Sequence, residues 1–150
     1  MARLASRLPG RALHALIESP LGVESAFEIA SAGIGLGEAD LRSALGVATA
    51  EHLGWQRARI VNAAAAAGLE PPAMSVYADV RDLEGLRASC EAGRASGFVG
   101  RAAIHPAQLP VIREAFTPSG AEVARAREVL QGFATASETG GGTFVLAEHA

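Results

Sequence analysis

The sequence predicts an α/β protein made of four parallel strand–helix units followed by one further helix, and three observations carry that reading. Four short apolar stretches, Ala12 to Ile17, Gly33 to Gly37, Met74 to Tyr77 and Phe98 to Ile104, are each followed by residues that start helices. Short continuous apolar runs are typical of buried parallel strands, and strand–helix alternation implies right-handed crossovers between them. Each stretch also delivers an ionisable side chain at or just beyond its C-terminal end: Glu18, Asp40, Asp79 and His105. Finally, no glycine-rich phosphate fingerprint follows any of the four. Gly33-Ile-Gly35-Leu-Gly37 lies inside a strand and lacks the required spacing, which argues against a doubly wound dinucleotide fold.

In chain order, Ala12 to Ile17 is an apolar strand interrupted only by His14. Ser19-Pro20 supplies a helix N-cap and a proline at the first helical position. Val23, Ala26, Phe27 and Ala30 then recur at helical spacing and are expected to face the sheet. The second strand begins so soon after Ala32 that the helix must stop early, near Glu28, or the strand must be short. Asp40 to Gly46 reads as a short helix stopped by its glycine. Glu51 to Ala67 reads as a long one stopped by Gly68, with Ala58, Val61 and Ala65 on its packed face.

After Pro71-Pro72 comes the third strand, then a helix capped by Asp82 that packs through Leu83, Leu86 and Cys90 and ends at Gly97. The fourth strand contains Gly100-Arg101, and a short helix spans Ala107 to Ala115. Ser119-Gly-Ala-Glu122 is a capping box opening a helix whose apolar residues are Val123, Ala126, Val129, Leu130 and Phe133. Thr143 to Leu146 is strand-like. Trp55 and Cys90 read as packing residues, and Leu16, Leu36 and Val76 as side chains pointing inward from the strands.

A chain of 150 residues, 49% of them apolar, is long enough for one domain with a real core, here taken as 1–150. A net charge of −3 with no dense basic cluster argues against nucleic-acid binding. The single cysteine excludes an internal disulfide and suits a reducing, cytoplasmic setting. No apolar run reaches bilayer-spanning length. The basic, acid-free stretch Met1 to Arg11 reads first as a solvated lead-in to the first strand and second as a transit peptide, and it is not a secretory signal, because no apolar core follows it.

Two strand tips bearing carboxylates, Glu18 and Asp40, suit one hard divalent cation with oxygen ligands. Glu38 competes with Asp40 for that duty. Each candidate also has an ordinary structural use: Glu18 as a turn cap, Asp40 as a helix N-cap, Asp79 in fixing the loop before Asp82, and His105 as a hydrogen-bonded residue ahead of Pro106. Arg101 reads first as an ion-pair partner of an acid, and second as a contact for an anionic substrate.

Five segments then occur in order: Leu16-Ile-Glu18-Ser-Pro-Leu-Gly22, Gly37-Glu-Ala-Asp40-Leu, Asp82-Leu-Glu-Gly85-Leu, Gly97-Phe-Val-Gly-Arg101 and Ala103-Ile-His-Pro106-Ala-Gln108. Phe116-Thr-Pro-Ser119 and Ala126-Arg-Glu-Val-Leu130 follow them. This series resembles the HpcH/HpaI aldolase and citrate lyase β-subunit superfamily, on its CoA-ester lyase side, from about Ala15 to Leu130. The resemblance implies a (β/α)8 TIM barrel, of which about four βα units and an extra C-terminal helix are present. It also implies Mg²⁺ or Mn²⁺ held by Glu18 and Asp40, with Glu18 beside the substrate, and a CoA thioester or a small oxo or hydroxy acid as substrate. Glu38, Asp79 and His105 are the remaining candidates for acid–base work.

Three departures from the family pattern set further expectations. The front half of the barrel, with its early acidic strand and substrate arginine, has no counterpart in this sequence. The interval from Glu18 to Asp40 is a few residues short, and the C-terminal lid segment is largely missing. The chain is therefore expected to be the back half of a barrel, as a fragment, a truncated product or one half of a two-chain enzyme. It is expected to associate as a homo-oligomer or with a front-half chain. Two other functions fit the same motifs: a class II aldolase acting on pyruvate and an aldehyde, and a non-catalytic half-barrel that binds a partner chain.

Overall fold

In the computed structural model, which describes residues 6–138, the strand–helix alternation begins with two short parallel strands, β1 (His14–Ile17) and β2 (Gly33–Leu36). They pair in the register His14↔Gly33, Ala15↔Ile34, Leu16↔Gly35 and Ile17↔Leu36. The parallel direction agrees with the expectation, and each strand is shorter than the apolar run that signalled it.

Ser19 caps the following helix as its sequence indicates: its Oγ accepts a hydrogen bond from the Gly22 N–H at 3.2 Å, with Pro20 at the first helical position. The helix then breaks at Ser25 into α1 (Pro20–Glu24) and α2 (Ala26–Ile29). Val23 and Ala26 are buried, whereas Phe27 is half exposed and does not face the sheet. The break shifts the phase of the second helix, so a single helical periodicity does not run through both. The short link to β2 works because α2 stops at Ile29 and because Ala32 N–H already donates to Leu13 C=O at 3.2 Å, ahead of the strand proper.

Helix α3 (Glu38–Leu45) starts two residues earlier than expected, with Gly37 at the N-cap, and ends at Gly46 in the left-handed region. The expected long helix is a 3₁₀ turn at Ala50–Leu53 followed by α4 (Gly54–Ala66). Its buried face is Ile60, Ala63 and Ala64, and the expected Ala58 and Ala65 are exposed. An alanine-rich helix carries almost no periodic contrast, so Ile60 alone decides which face turns in. Trp55 is 57% exposed rather than packed. Ile17, Val23, Ile34, Leu36, Leu41 and Ile60 belong to one core between β1–β2 and these helices.

The third and fourth apolar stretches do not form strands with ladders of their own. They meet in a single parallel bridge, Met74↔Arg101, supported by Met74 N–H to Gly100 C=O at 2.8 Å and Ala102 N–H to Met74 C=O at 3.1 Å. Beyond it, side chains take over the work of a ladder. Arg101 Nη1 donates to Ser75 C=O at 2.9 Å. The wholly buried Gln108 donates to Tyr77 C=O at 2.9 Å and accepts from Ile104 N–H at 3.0 Å. Backbone groups near the interior need partners, and here polar side chains supply them where a strand neighbour would otherwise do so.

Helix α5 (Leu83–Ala95) is capped by Asp82, whose Oδ1 accepts from Gly85 N–H at 2.8 Å, and the chain turns at Gly97 with φ +95°. Helix α6 (Gln108–Phe116) packs on it. Leu86, Cys90, Ile112 and Ala115 form this second core, with Cys90 acting as the small buried hydrophobe its position suggested, while Leu83 is partly exposed. Residues from Thr117 onward belong to a separate compact unit. Its helix α7 (Gly120–Glu138) opens with the expected capping box: Glu122 Oε2 accepts from Ser119 N–H at 2.8 Å, and Ser119 Oγ from Glu122 N–H at 3.2 Å. The strand-like run at 143–146 lies outside the described residues.

Candidate metal centre and cleft

Alternate side chains of a strand point to opposite faces, so the observed register sorts β1 and β2 cleanly. Ile17 and Leu36 share the core face, and Leu36 is 2% exposed; the expectation that it points inward with Leu16 is therefore wrong. His14 and Leu16 share the other face, and Leu16 is 63% exposed. That face belongs to an open cleft of about 480 Å³, whose apolar lining includes Leu16, Val76 and Ala102 and whose charged lining is Glu18, Glu38 and Asp40.

The spacing Gly33-Ile-Gly35-Leu-Gly37 has its explanation here. A Cβ on Gly33 would run into the His14 imidazole, and a Cβ on Gly37 would meet Glu18, with Oε1 at 2.7 Å and Cδ at 3.0 Å. The missing side chains let His14 and Glu18 lie across β2. Glu18 is thereby carried over Gly37, the residue just ahead of the first turn of α3, where Asp40 sits. Gly37 has φ −89° and ψ 87°, so alanine fits its backbone and only the Glu18 contact is lost. Gly37→Ala is expected to leave the fold intact and weaken Mg²⁺ binding about tenfold, the lower end of what disturbing a ligand's support costs. Calorimetric titration showing wild-type affinity would refute this.

Asp40 is the third residue of α3 and is not its cap. Gly37 takes that place without any side-chain cap bond, so the carboxylate has no helix-starting duty. Glu38, 6% exposed, is fully engaged: Arg57 Nε donates to its Oε1 at 2.8 Å and Arg57 Nη2 to its Oε2 at 2.7 Å. Its backbone N–H faces Ser75 Oγ at 3.4 Å, a long hydrogen bond. Glu18 and Asp40 thus bring carboxylates without protein partners to one cleft among the described residues. Those residues contain no group of three histidine, cysteine or acidic side chains arranged for a metal. Two hard oxygen donors nonetheless fit Mg²⁺, which is commonly held by one or two carboxylates and keeps several of its waters.

Asp79 and His105 do not join them. Asp79 Oδ1 accepts from Arg81 N–H at 3.0 Å and from Asp82 N–H at 3.3 Å. His105 Nδ1 accepts from Ala107 N–H at 3.1 Å. Neither lines the cleft. Polar side chains in loops readily bond backbone N–H groups two or three residues on, and these two serve as turn residues.

Arg101 does not form the expected ion pair. Its partners are neutral: Ser75 C=O, Ser89 Oγ at 2.7 Å and Met74 Sδ, with the guanidinium 5.7 Å from the centre of the Tyr77 ring. Tyr77 in turn donates from its hydroxyl to Asp82 Oδ2 at 2.7 Å. That bond, with the Gly85 N–H, holds the Asp82 carboxyl below its ordinary pKa, and the same bond, aided by burial and the nearby carboxylates, raises that of the Tyr77 phenol. Arg57 and Ser75 escaped the sequence reading because their partners lie 19 and 37 residues away, and no local pattern links them.

The fold and the cleft define an α/β protein in which two carboxylates without protein partners, Glu18 and Asp40, line one cleft. Residues 11–106 match the model of the HpcH/HpaI aldolase/citrate lyase family, and the chain belongs to that family. The L-malyl-CoA/β-methylmalyl-CoA lyase of Rhodobacter capsulatus is 35% identical, the match covering 89% of this chain and 49% of that protein. A (3S)-malyl-CoA thioesterase of Cereibacter sphaeroides is 37% identical over 95% of this chain and 52% of that one. Among solved structures, the citrate lyase β subunit of Mycobacterium tuberculosis, complexed with oxaloacetate and magnesium, superposes with a TM-score of 0.66. It is 31% identical, over 78% of this chain and 57% of that one. The chain spans about half the length of the curated relatives it matches. Among the described residues no helix is long and apolar enough to cross a membrane.

Proposed function

We propose that the chain carries the metal-binding part of a magnesium-dependent carbon–carbon lyase acting on a hydroxyacyl-CoA or a related oxo or hydroxy acid. One observation carries the reading: Glu18, laid over Gly37, and Asp40, on the first turn of α3, both bring carboxylates without protein partners to one largely apolar cleft. The names of the relatives support it, since two act on malyl-CoA and one was solved with oxaloacetate and magnesium. Bound at these carboxylates, Mg²⁺ or Mn²⁺ would supply Lewis acidity toward the oxygens of an oxo or hydroxy acid.

The chain's own residues do the rest. Glu18 and Asp40 hold the cation side of the site by charge, and Glu18, at the tip of β1, borders the substrate. Leu16, Val76 and Ala102 offer the carbon chain an apolar wall. On this reading β1, β2 and the two bridged segments are about four βα units of a (β/α)8 barrel, residues 1–150 fall within that one domain, and α7 is its extra helix. Further barrel strands complete the wall opposite Leu16, whether from the same polypeptide, a second copy or a partner chain.

The test uses the native protein with malyl-CoA. A lyase breaks the bond between the hydroxyl-bearing carbon and the carbon next to the thioester. The hydroxyl proton departs as that carbon becomes the aldehyde carbonyl of glyoxylate. The bond's electron pair stays on the carbon next to the thioester as an enolate, and that carbon takes up a proton to become the methyl group of acetyl-CoA. The expected products are glyoxylate and acetyl-CoA in equal amounts, formed only with Mg²⁺ or Mn²⁺ and stopped by EDTA. Malate with free CoA thiol would assign the chain to the thioesterase chemistry of its other relative. Turnover of pyruvate with an aldehyde, and none with the CoA ester, would assign it to the class II aldolases.

A further inference from the structure

We propose that the Glu38–Arg57 ion pair is the positioning element that presents Asp40 to the cation, an inference that rests on the reading of Glu18 and Asp40 as the metal carboxylates. Glu38 is the first residue of α3 and Asp40 the third, so both ride on the same helical turn. Arg57 projects from α4 and grips both oxygens of Glu38 in a fork, at 2.8 and 2.7 Å. The side chain of Arg57 is 18% exposed and that of Glu38 8%, so water loosens this pair little. On the other side of the same residue, Ser75 Oγ receives the Glu38 N–H, and Ser75 is itself held through its carbonyl by Arg101. The turn bearing Asp40 is thus fastened to α4 through a side chain and to the Met74–Ser75 segment through the backbone.

The pair also settles which acid faces the cation. Glu38 lines the same cleft, two residues from Asp40. A free carboxylate there would offer a cation a second arrangement of ligands. With both oxygens held in the fork of a guanidinium, the charge of Glu38 is balanced and its carboxylate is fixed toward Arg57, so it competes weakly for a cation. Lysine could not reproduce this, because an ammonium is a point charge without the planar fork.

The test is calorimetric titration with Mg²⁺, paired with thermal unfolding followed by circular dichroism. It compares wild type, Asp40→Asn, the double variant Glu38→Gln/Arg57→Met, and Arg57→Lys. The double variant removes both charges together and leaves no lone buried ion. It is expected to fold and to bind Mg²⁺ about tenfold more weakly than wild type, the scale on which supporting residues affect metal affinity, with Arg57→Lys between the two. A folded double variant with wild-type affinity, alongside an Asp40→Asn protein that has lost binding, would overturn the positioning role and leave the site reading intact. Asp40→Asn binding Mg²⁺ like wild type would overturn the site reading and this inference with it. Should the double variant fail to fold, Arg57→Lys decides: a severalfold loss sustains the proposal and unchanged affinity defeats it.

Discussion

Asp40→Asn is expected to weaken Mg²⁺ binding at least about 100-fold, or roughly 2.7 kcal/mol, while barely moving the unfolding temperature of the metal-free protein. The loss is large because the proposed site has only two protein carboxylates, and the amide keeps the shape but removes one of the two charges. Stability changes little because Asp40 is exposed and makes no cap bond. A carboxylate in the first turn of a helix is worth only about 0.3–1 kcal/mol through the helix dipole. Glu18→Gln should match it, and the double variant should lose little more, since either change alone leaves one ligand. If Asp40→Asn binds normally while Glu38→Gln does not, the second carboxylate is Glu38, and the Arg57 fork opens on metal binding.

Gln108→Ala is expected to cost about 2–4 kcal/mol of folding stability in urea unfolding at neutral pH. The side chain is wholly buried and joins two backbone groups on different segments, Ile104 N–H and Tyr77 C=O. Each is left without a partner, at roughly 1–3 kcal/mol apiece, and a cavity replaces the amide. No bridge beyond Met74↔Arg101 shares that load among the described residues. A cost below about 1 kcal/mol would mean that water enters and replaces the amide, as it does in polar cavities large enough to hold it.

The elements that came out as expected are those whose signals lie within three or four residues. Ser19 with Pro20, Asp82 with Gly85, the Ser119–Glu122 box and the left-handed glycines at 46, 68 and 97 are all found where the chain spells them. Each depends on a side chain or a φ angle acting on its own neighbourhood, so no tertiary information is needed. The parallel pairing of β1 with β2 was legible for a related reason: an apolar run followed at once by a helix leaves few other ways to bury both.

The misreadings share one cause. Helical spacing puts Ala58, Val61 and Ala65 on one face of a helix where alanine sits on every side, and contact with the β1–β2 core selects Ile60, Ala63 and Ala64 instead. Asp79 and His105 end apolar runs as Glu18 does, but those runs make one bridge rather than full strands, and both residues bond the backbone beside them. By itself, the sequence determined the caps, the turns, the strand direction and the placing of Glu18 just past β1 and of Asp40 in the helix after β2. Only the tertiary structure decided that Gly37 clears the space Glu18 occupies, that Arg57 forks both oxygens of Glu38, and that Gln108 rather than a ladder joins Tyr77 to Ile104. Those partners lie 19 to 31 residues apart, and hydrogen bonding and steric fit over such separations depend on which surfaces meet once the chain has folded.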